Sequence, residues 1–340
     1  MDNKFQETLL NAIAASTIKT LRDFCQIQPV IGQAFIKGKR DQQMFAVAGI
    51  IGLTSSVANG SVLLCFPMSV FAEIMKNMLG ETVTEIKKEN EDAAAELLNM
   101  IFGQTKAVLN KRGFSLEMAI PSVLRGGDVQ SSYSKVHVVQ VVPFSTPVGE
   151  FYIELLLNDV AAPKATATAS VPPKVDTPAA QAAFFKPFLD SVMHTLKVQI
   201  NVASKPGKPF LKKQSSDFSF DIAGIIGITS KSLSGSFMLS FKKEVFLKLI
   251  GKMFGEEPTD FQEGLDDAVS ELVNIVLGAA KAVLNTQGHG IQMAIPTVVR
   301  GDSILSSPQH KKQGIVIPFT SDVGEFHVEV IINDQEPPAA

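Results

Sequence analysis

Asp92, Glu96 and Asn99 stand at i, i+4 and i+7, and the same residue types return as Asp267, Glu271 and Asn274, each displaced by 175 residues. A carboxylate and a carboxamide three residues apart offer too few oxygens for a tight metal site, and no nucleophile stands beside a base. Such a pair can instead reach into another protein's site. The carboxylate can pair with a lysine there, and the amide, donor and acceptor at once, can hold and aim a water molecule. Positioning of that kind is what the water-orienting glutamine contributes to GTP hydrolysis. On a labile bond such as an acyl phosphate, a hundredfold acceleration requires only about 2.7 kcal/mol.

These residues need a rigid element. At about 100° per residue, Asp92, Glu96, Asn99, Gly103, Lys106 and Asn110 share one arc of about 80°. The opposite side, with Ala94, Leu97, Leu98, Ile101, Phe102, Val108 and Leu109, forms a core face. The pattern predicts a helix from about Glu89 to Lys111, ended by Gly113. Its counterpart runs from Phe261 to Thr286, ended by Gly288, and carries Asp267, Glu271, Asn274, Gly278, Lys281 and Asn285. Solvation alone would favour Lys, Glu or Gln at such positions, because Asn is a poor helix-interior residue and Gly costs about 1 kcal/mol against Ala. A mid-helix glycine also lets another surface approach the backbone.

The same displacement relates Gly49 and Gly52 to Gly224 and Gly227, Pro121 to Pro296, Arg125 to Arg300, and Gly149-Glu150 to Gly324-Glu325. The chain is a tandem duplication. Its 340 residues suffice for two cores. The expected domains are residues 1–158 and 184–335, with an Ala/Pro/Thr-rich linker over 159–183. Each repeat reads as a helix, a strand pair, a short helix closed by Gly80 or Gly255, the long helix, and further strands at Leu116–Ile120, Lys135–Val142 and Gly149–Leu157. Met44–Ser55 and Gly60–Phe66 form the first strand pair, with a turn expected at Val57-Ala-Asn-Gly60. The predicted class is α/β, as an α+β two-layer domain with a sheet packed against helices.

A net charge of −3, no Trp and two Tyr exclude a nucleic-acid footprint. Cys25 and Cys65 have Ile200 and Ser240 as counterparts, which supports no shared disulfide or metal site. The five histidines lack metal-ligand spacing, and Lys208, Lys212 and Lys213 read as a solvated basic cluster. Glu150 and Glu325 read as exposed sheet-edge residues. The amino-terminal residues lack the layout of a signal peptide, and the longest apolar run, Met44 to Leu53, is about half a membrane span. The expectation is a cytoplasmic protein with no membrane contact.

Asp-x-x-x-Glu-x-x-Asn followed some twenty residues later by Pro121 or Pro296 resembles the signature of the CheC/CheX/FliY chemotaxis phosphatases, which dephosphorylate the response regulator CheY. Through Ala119-Ile-Pro-Ser-Val-Leu-Arg-Gly and Ala294-Ile-Pro-Thr-Val-Val-Arg-Gly, each repeat is most similar to CheX. The resemblance implies that Asn99 and Asn274 orient the attacking water on a phospho-aspartate, that Glu96 and Glu271 pair with the regulator's lysine, and that the regulator itself holds Mg²⁺. No cofactor or metal is expected on this chain. Asp92 and Asp267 match the signature near the helix N-terminal end, where negative charge is stabilised. With Gly103, Lys106, Gly278 and Lys281 they form the expected partner-binding set. CheX dimerises through its sheet, so two fused copies imply an intramolecular pseudo-dimer. A second reading stays open, in which the same stripe docks a phosphorylated receiver domain, or a flagellar switch or receptor component, without catalysis.

Overall fold

The computed structural model describes residues 3–38, 44–80, 82–86, 88–132, 138–159, 173, 175, 177–212, 218–262, 264–307 and 314–334. The first repeat runs α1 (Asn3–Cys25), β1 (Val30–Ile31), β2 (Phe35–Ile36), β3 (Phe45–Thr54), β4 (Ala58–Phe66), α2 (Met68–Leu79), α3 (Lys88–Lys111), β5 (Glu117–Met118), β6 (Ser122–Ser132), β7 (Val139–Thr146) and β8 (Gly149–Asp159). The second follows the same order with α4 (Pro178–Ile200), β9 (Ser204–Pro206), β10 (Phe210–Lys212), β11 (Phe220–Thr229), β12 (Leu233–Phe241), α5 (Lys243–Phe254), α6 (Leu265–Thr286), β13 (Gln292–Met293), β14 (Thr297–Ser307), β15 (Gly314–Ser321) and β16 (Gly324–Asp334).

Within each repeat the strands alternate between two cores, as the twofold strand period requires. Val47, Ile51 and Leu53 of β3 join α1, α2 and α3 in one core, and Ile222, Ile226 and Ile228 of β11 join α4, α5 and α6 in another. The intervening residues Ala48, Ile50, Leu63, Cys65 and Leu124 meet Ala223, Ile225, Met238 and Val299 in a third core that holds no helix. Each repeat is therefore a sheet covered by helices on one face, and the uncovered faces pack on each other.

Three features of this arrangement differ from the sequence expectation. The strands β6 and β14 lie outside the strands expected from the sequence. In the fold each lies between its own β3 or β11 on one edge and the other of the two on its second edge, with register shifts in both pairings, from Val298 opposite Ser132 to Ser307 opposite Val123. The turn between β3 and β4 falls at residues 55–57, with Ser55 Oγ accepting from Val57 and Ala58 N–H groups. Asn59 and Gly60 lie in β4 instead. Asn59 Nδ2 donates to Met293 O of the other repeat at 3.1 Å, and a Cβ on Gly60 would lie 2.3 Å from Leu156 O. Finally, β8 continues to Asp159 and α4 begins at Pro178, inside the span expected as linker. Alanine is the best helix former, proline suits the first helical turn, and Thr177 Oγ1 accepts from the Ala180 N–H at 3.2 Å.

The short β1 and β2 cover the edge strand β7, as β9 and β10 cover β15. A buried charge cluster fastens each cover. Lys37 Nζ donates to Glu154 Oε1 at 2.6 Å and to Ser131 Oγ at 2.8 Å, and Ser131 Oγ donates to Glu154 Oε2 at 2.6 Å. Lys212, Ser306 and Glu329 repeat the cluster, with Lys212 Nζ 2.6 Å from Glu329 Oε2. Lys212 is thus buried, contrary to the expectation of a solvated cluster. Strand pairing carries it beneath the sheet edge, where Glu329 offsets its charge. Lys213 lies outside the described residues, and Glu150 and Glu325 are exposed as expected.

Candidate functional site

Helix α3 is uninterrupted from Lys88 to Lys111, and α6 from Leu265 to Thr286. Their buried faces carry Leu97, Leu98, Ile101, Phe102 and Leu109 in one repeat, and Leu272, Val273, Val276, Leu277 and Leu284 in the other. The seating of each helix is set by a glycine of the sheet. Leu98 Cδ1 occupies the space a Cβ on Gly49 would fill, at 2.1 Å from it. Val273 and Val269 occupy the corresponding space above Gly224. Leu98 and Val273 immediately precede Asn99 and Asn274, so the sheet contact fixes the rotation of each helix and turns the following asparagine outward.

Glu96, Asn99 and Glu271 are exposed, and Asn274 is half-buried. Gly103 and Gly278 are exposed, and a Cβ on either would meet nothing within 4 Å. Each stripe therefore presents an acid, an amide and a bare stretch of backbone to solvent. Because the helices cover the outer faces of the packed sheets, the two stripes lie on opposite sides of the molecule. Asp267 is half-buried in the first turn of α6, where the helix end favours its charge. Asp92 lies on α3, and its side chain falls outside the described residues.

The stripe is not uniformly free for a partner. Lys106 Nζ pairs with Glu117 Oε2 of β5 at 2.8 Å, whereas Lys281 is half-buried and forms no ion pair among the described residues. Asn110 Oδ1 accepts from the Leu116 N–H at 2.6 Å and its Nδ2 donates to Leu116 O at 3.3 Å. Asn285 does the same with Ile291 at 2.5 and 3.2 Å. These two asparagines hold the chain that leaves the helix. Their recurrence in both repeats carried no sign of that role, since a stripe position reads alike whether its amide faces solvent or bonds a nearby loop.

A further acid was overlooked in the sequence. Asp266, beside Asp267, is buried and its Oδ2 lies 3.3 Å from Arg300 Nη1. Burial raises its carboxyl above the ordinary range, against the opposing pull of Arg300 and the Ser132 hydroxyl. The sequence carried no signal for this pair, because Asp266 and Arg300 meet only where the sheet packs on α6. Among the described residues no group of three His, Cys, Asp or Glu side chains could hold a metal ion. Burial pushes the Cys25 thiol up to about 12 and that of Cys65 well above its usual range, so neither is a ready nucleophile. No helix among the described residues is long and apolar enough to cross a membrane.

Residues 47–145 and 222–320 each match the family described as chemotaxis phosphatase CheX. This chain belongs to the CheX family. A CheX relative from Thermotoga maritima, named CheY-P phosphatase CheX, is 29% identical over 148 residues, covering 42% of this chain and 92% of the relative. Among solved structures, a CheC-like superfamily protein from Shewanella sp. PV-4 is 36% identical, covering 44% of this chain and 97% of that one, with a TM-score of 0.42. CheX from Vibrio vulnificus is 33% identical over 44% of this chain and 99% of its own, with a TM-score of 0.41. Each CheX match to this chain is thus about one repeat long.

Proposed function

We propose that both repeats hydrolyse the aspartyl phosphate of a CheY-like response regulator. The observation that carries this reading is the Glu96–Asn99 pair, set outward on an unbroken helix beside open backbone at Gly103 and repeated as Glu271, Asn274 and Gly278. Membership of the CheX family and the name of the Thermotoga maritima relative support it. Asn99 and Asn274 hold a water in line with the phosphorus. Its oxygen attacks, the acyl phosphate bond breaks, and the regulator's aspartate and inorganic phosphate leave. Glu96 and Glu271 pair with the regulator's lysine and so fix the approach. The work is positioning, and the acyl phosphate is already labile.

Asp92, Gly103 and Lys106, with Asp267, Gly278 and Lys281, form the surrounding contact surface in this reading. The chain supplies no cofactor, and Mg²⁺ belongs to the regulator. We read the joined sheets as an intramolecular pseudo-dimer, so that one chain offers two sites on opposite sides. A cytoplasmic location follows from a regulator substrate of this kind.

Decay of a radiolabelled phospho-regulator tests the assignment. Wild type accelerates it, Asn99→Ala and Asn274→Ala each retain the other repeat's activity, and the double variant falls to the spontaneous rate. Acceleration that survives the double substitution would move the active site elsewhere. Binding without acceleration by wild type would make the chain a docking module.

A further inference from the structure

The stripe lysines Lys106 and Lys281 stand in different surroundings in the two repeats. Lys106 Nζ lies 2.8 Å from Glu117 Oε2, with the two side chains 33% and 43% exposed. In the second repeat the place of Glu117 on β5 is taken by Gln292 on β13, and Lys281 has no acidic partner among the described residues. Lys106 is seven residues beyond Asn99, about 10 Å along the helix axis and on the same arc. A partner burying about 800 Å² of this surface would reach it. Lys111 and Arg112, whose counterparts Thr286 and Gln287 are uncharged, sit in the opposite sense. They lie about 18 to 20 Å from Asn99 along the axis and outside the arc of the stripe, beyond two Debye lengths at physiological salt.

The phosphoryl group adds negative charge to the face a regulator presents, beside the Mg²⁺ and lysine already there. A lysine whose charge is uncompensated attracts it, and the same lysine neutralised by a neighbouring carboxylate does not. We infer that the residue at 117 or 292 sets the affinity of each site for the phosphorylated regulator, so that the second repeat binds it more tightly than the first. This inference rests on the phosphatase reading above. Its consequence is a chain with two unequal sites, which responds over a wider range of phospho-regulator concentration than two equal ones.

The test uses the full chain and a CheY-type receiver domain phosphorylated with acetyl phosphate. Asn99→Ala leaves the second site active, and Asn274→Ala the first. The KM of the second site should be about two- to fivefold lower, the range of exposed charge pairs, and the difference should shrink at high salt. Glu117→Gln in the Asn274→Ala chain should lower KM, and Gln292→Glu in the Asn99→Ala chain should raise it, with kcat unchanged. The same charge swaps are repeated as direct binding to the receiver carrying beryllofluoride. Equal affinities, or affinities unmoved by both swaps, overturn the inference whether or not hydrolysis is seen. Loss of hydrolysis with the affinity difference intact overturns the phosphatase reading instead.

Discussion

Thr54 Oγ1 lies 2.6 Å from Thr229 Oγ1, so one residue of the first repeat is hydrogen-bonded to its own counterpart in the second. Gly52 and Gly227 meet beside them, and a Cβ on Gly52 would stand 2.7 Å from Gly227 Cα. The repeats thus touch about a local twofold relation, with both hydroxyls buried. Replacing either threonine by valine leaves the other hydroxyl unsatisfied and should cost about 1–3 kcal/mol. The double replacement should cost less than the sum of the two. A double-mutant cycle in urea measures the coupling, and simple additivity would show that the hydroxyls do not pair.

Gly103→Ala and Gly278→Ala separate stability from docking. Neither added methyl meets anything, and alanine favours the helix by about 1 kcal/mol, so thermal stability should rise. If a regulator closes on bare backbone there, KM should increase in the same variants. Higher stability with KM unchanged would remove these glycines from the docking surface.

The buried Lys37–Ser131–Glu154 cluster should be intolerant of a half-deletion. Glu154→Ala strands a lysine beneath the sheet edge and should cost about 3–5 kcal/mol. Combining Lys37→Met with Glu154→Leu should recover most of that loss, because no charge then remains buried. Unfolding midpoints in urea for the two proteins decide the matter, and equal midpoints would contradict it.

His289 is buried against Phe184, with ring centroids 5.0 Å apart, at the place that Phe114 holds in the first repeat. Burial lowers its pKa below the ordinary histidine value. His327 is lowered as well, by burial first and with Glu325 opposing, at the place of Tyr152. Below a pH of about 6.5 the unfolded chain binds protons that the folded chain resists, so stability falls as pH drops through that value. His289→Phe should fold normally and flatten the pH dependence of unfolding between about 7.5 and 5.5. Adding His327→Tyr should flatten it further, whereas a slope unchanged in both would place the proton uptake elsewhere.

The amphipathic face of α3 could be read directly, since Leu97, Leu98, Ile101 and Phe102 recur at helical spacing and bury as a row. The exposure of Glu96 and Asn99 followed from the same wheel. Pairings between distant segments left no comparable trace. Ser122 to Ser132 carries no clean alternation, yet it pairs with β3 along one edge and with β14 along the other within one continuous sheet. Asn59-Gly60 carried a strong local turn signal, and tertiary contacts with Met293 and Leu156 override it. Lys212 offered no sign of burial until Glu329 and Ser306 were brought around it.

By itself, the chain's order of residues determined the duplication, the two outward stripes and the helices that carry them, because helical periodicity is set by local backbone geometry. Only the tertiary structure decided that the uncovered sheet faces close on each other, that β6 and β14 join the repeats, and that Lys106 is neutralised where Lys281 is not. Those outcomes depend on which surfaces meet, and contact between residues more than a hundred positions apart has no period to reveal it.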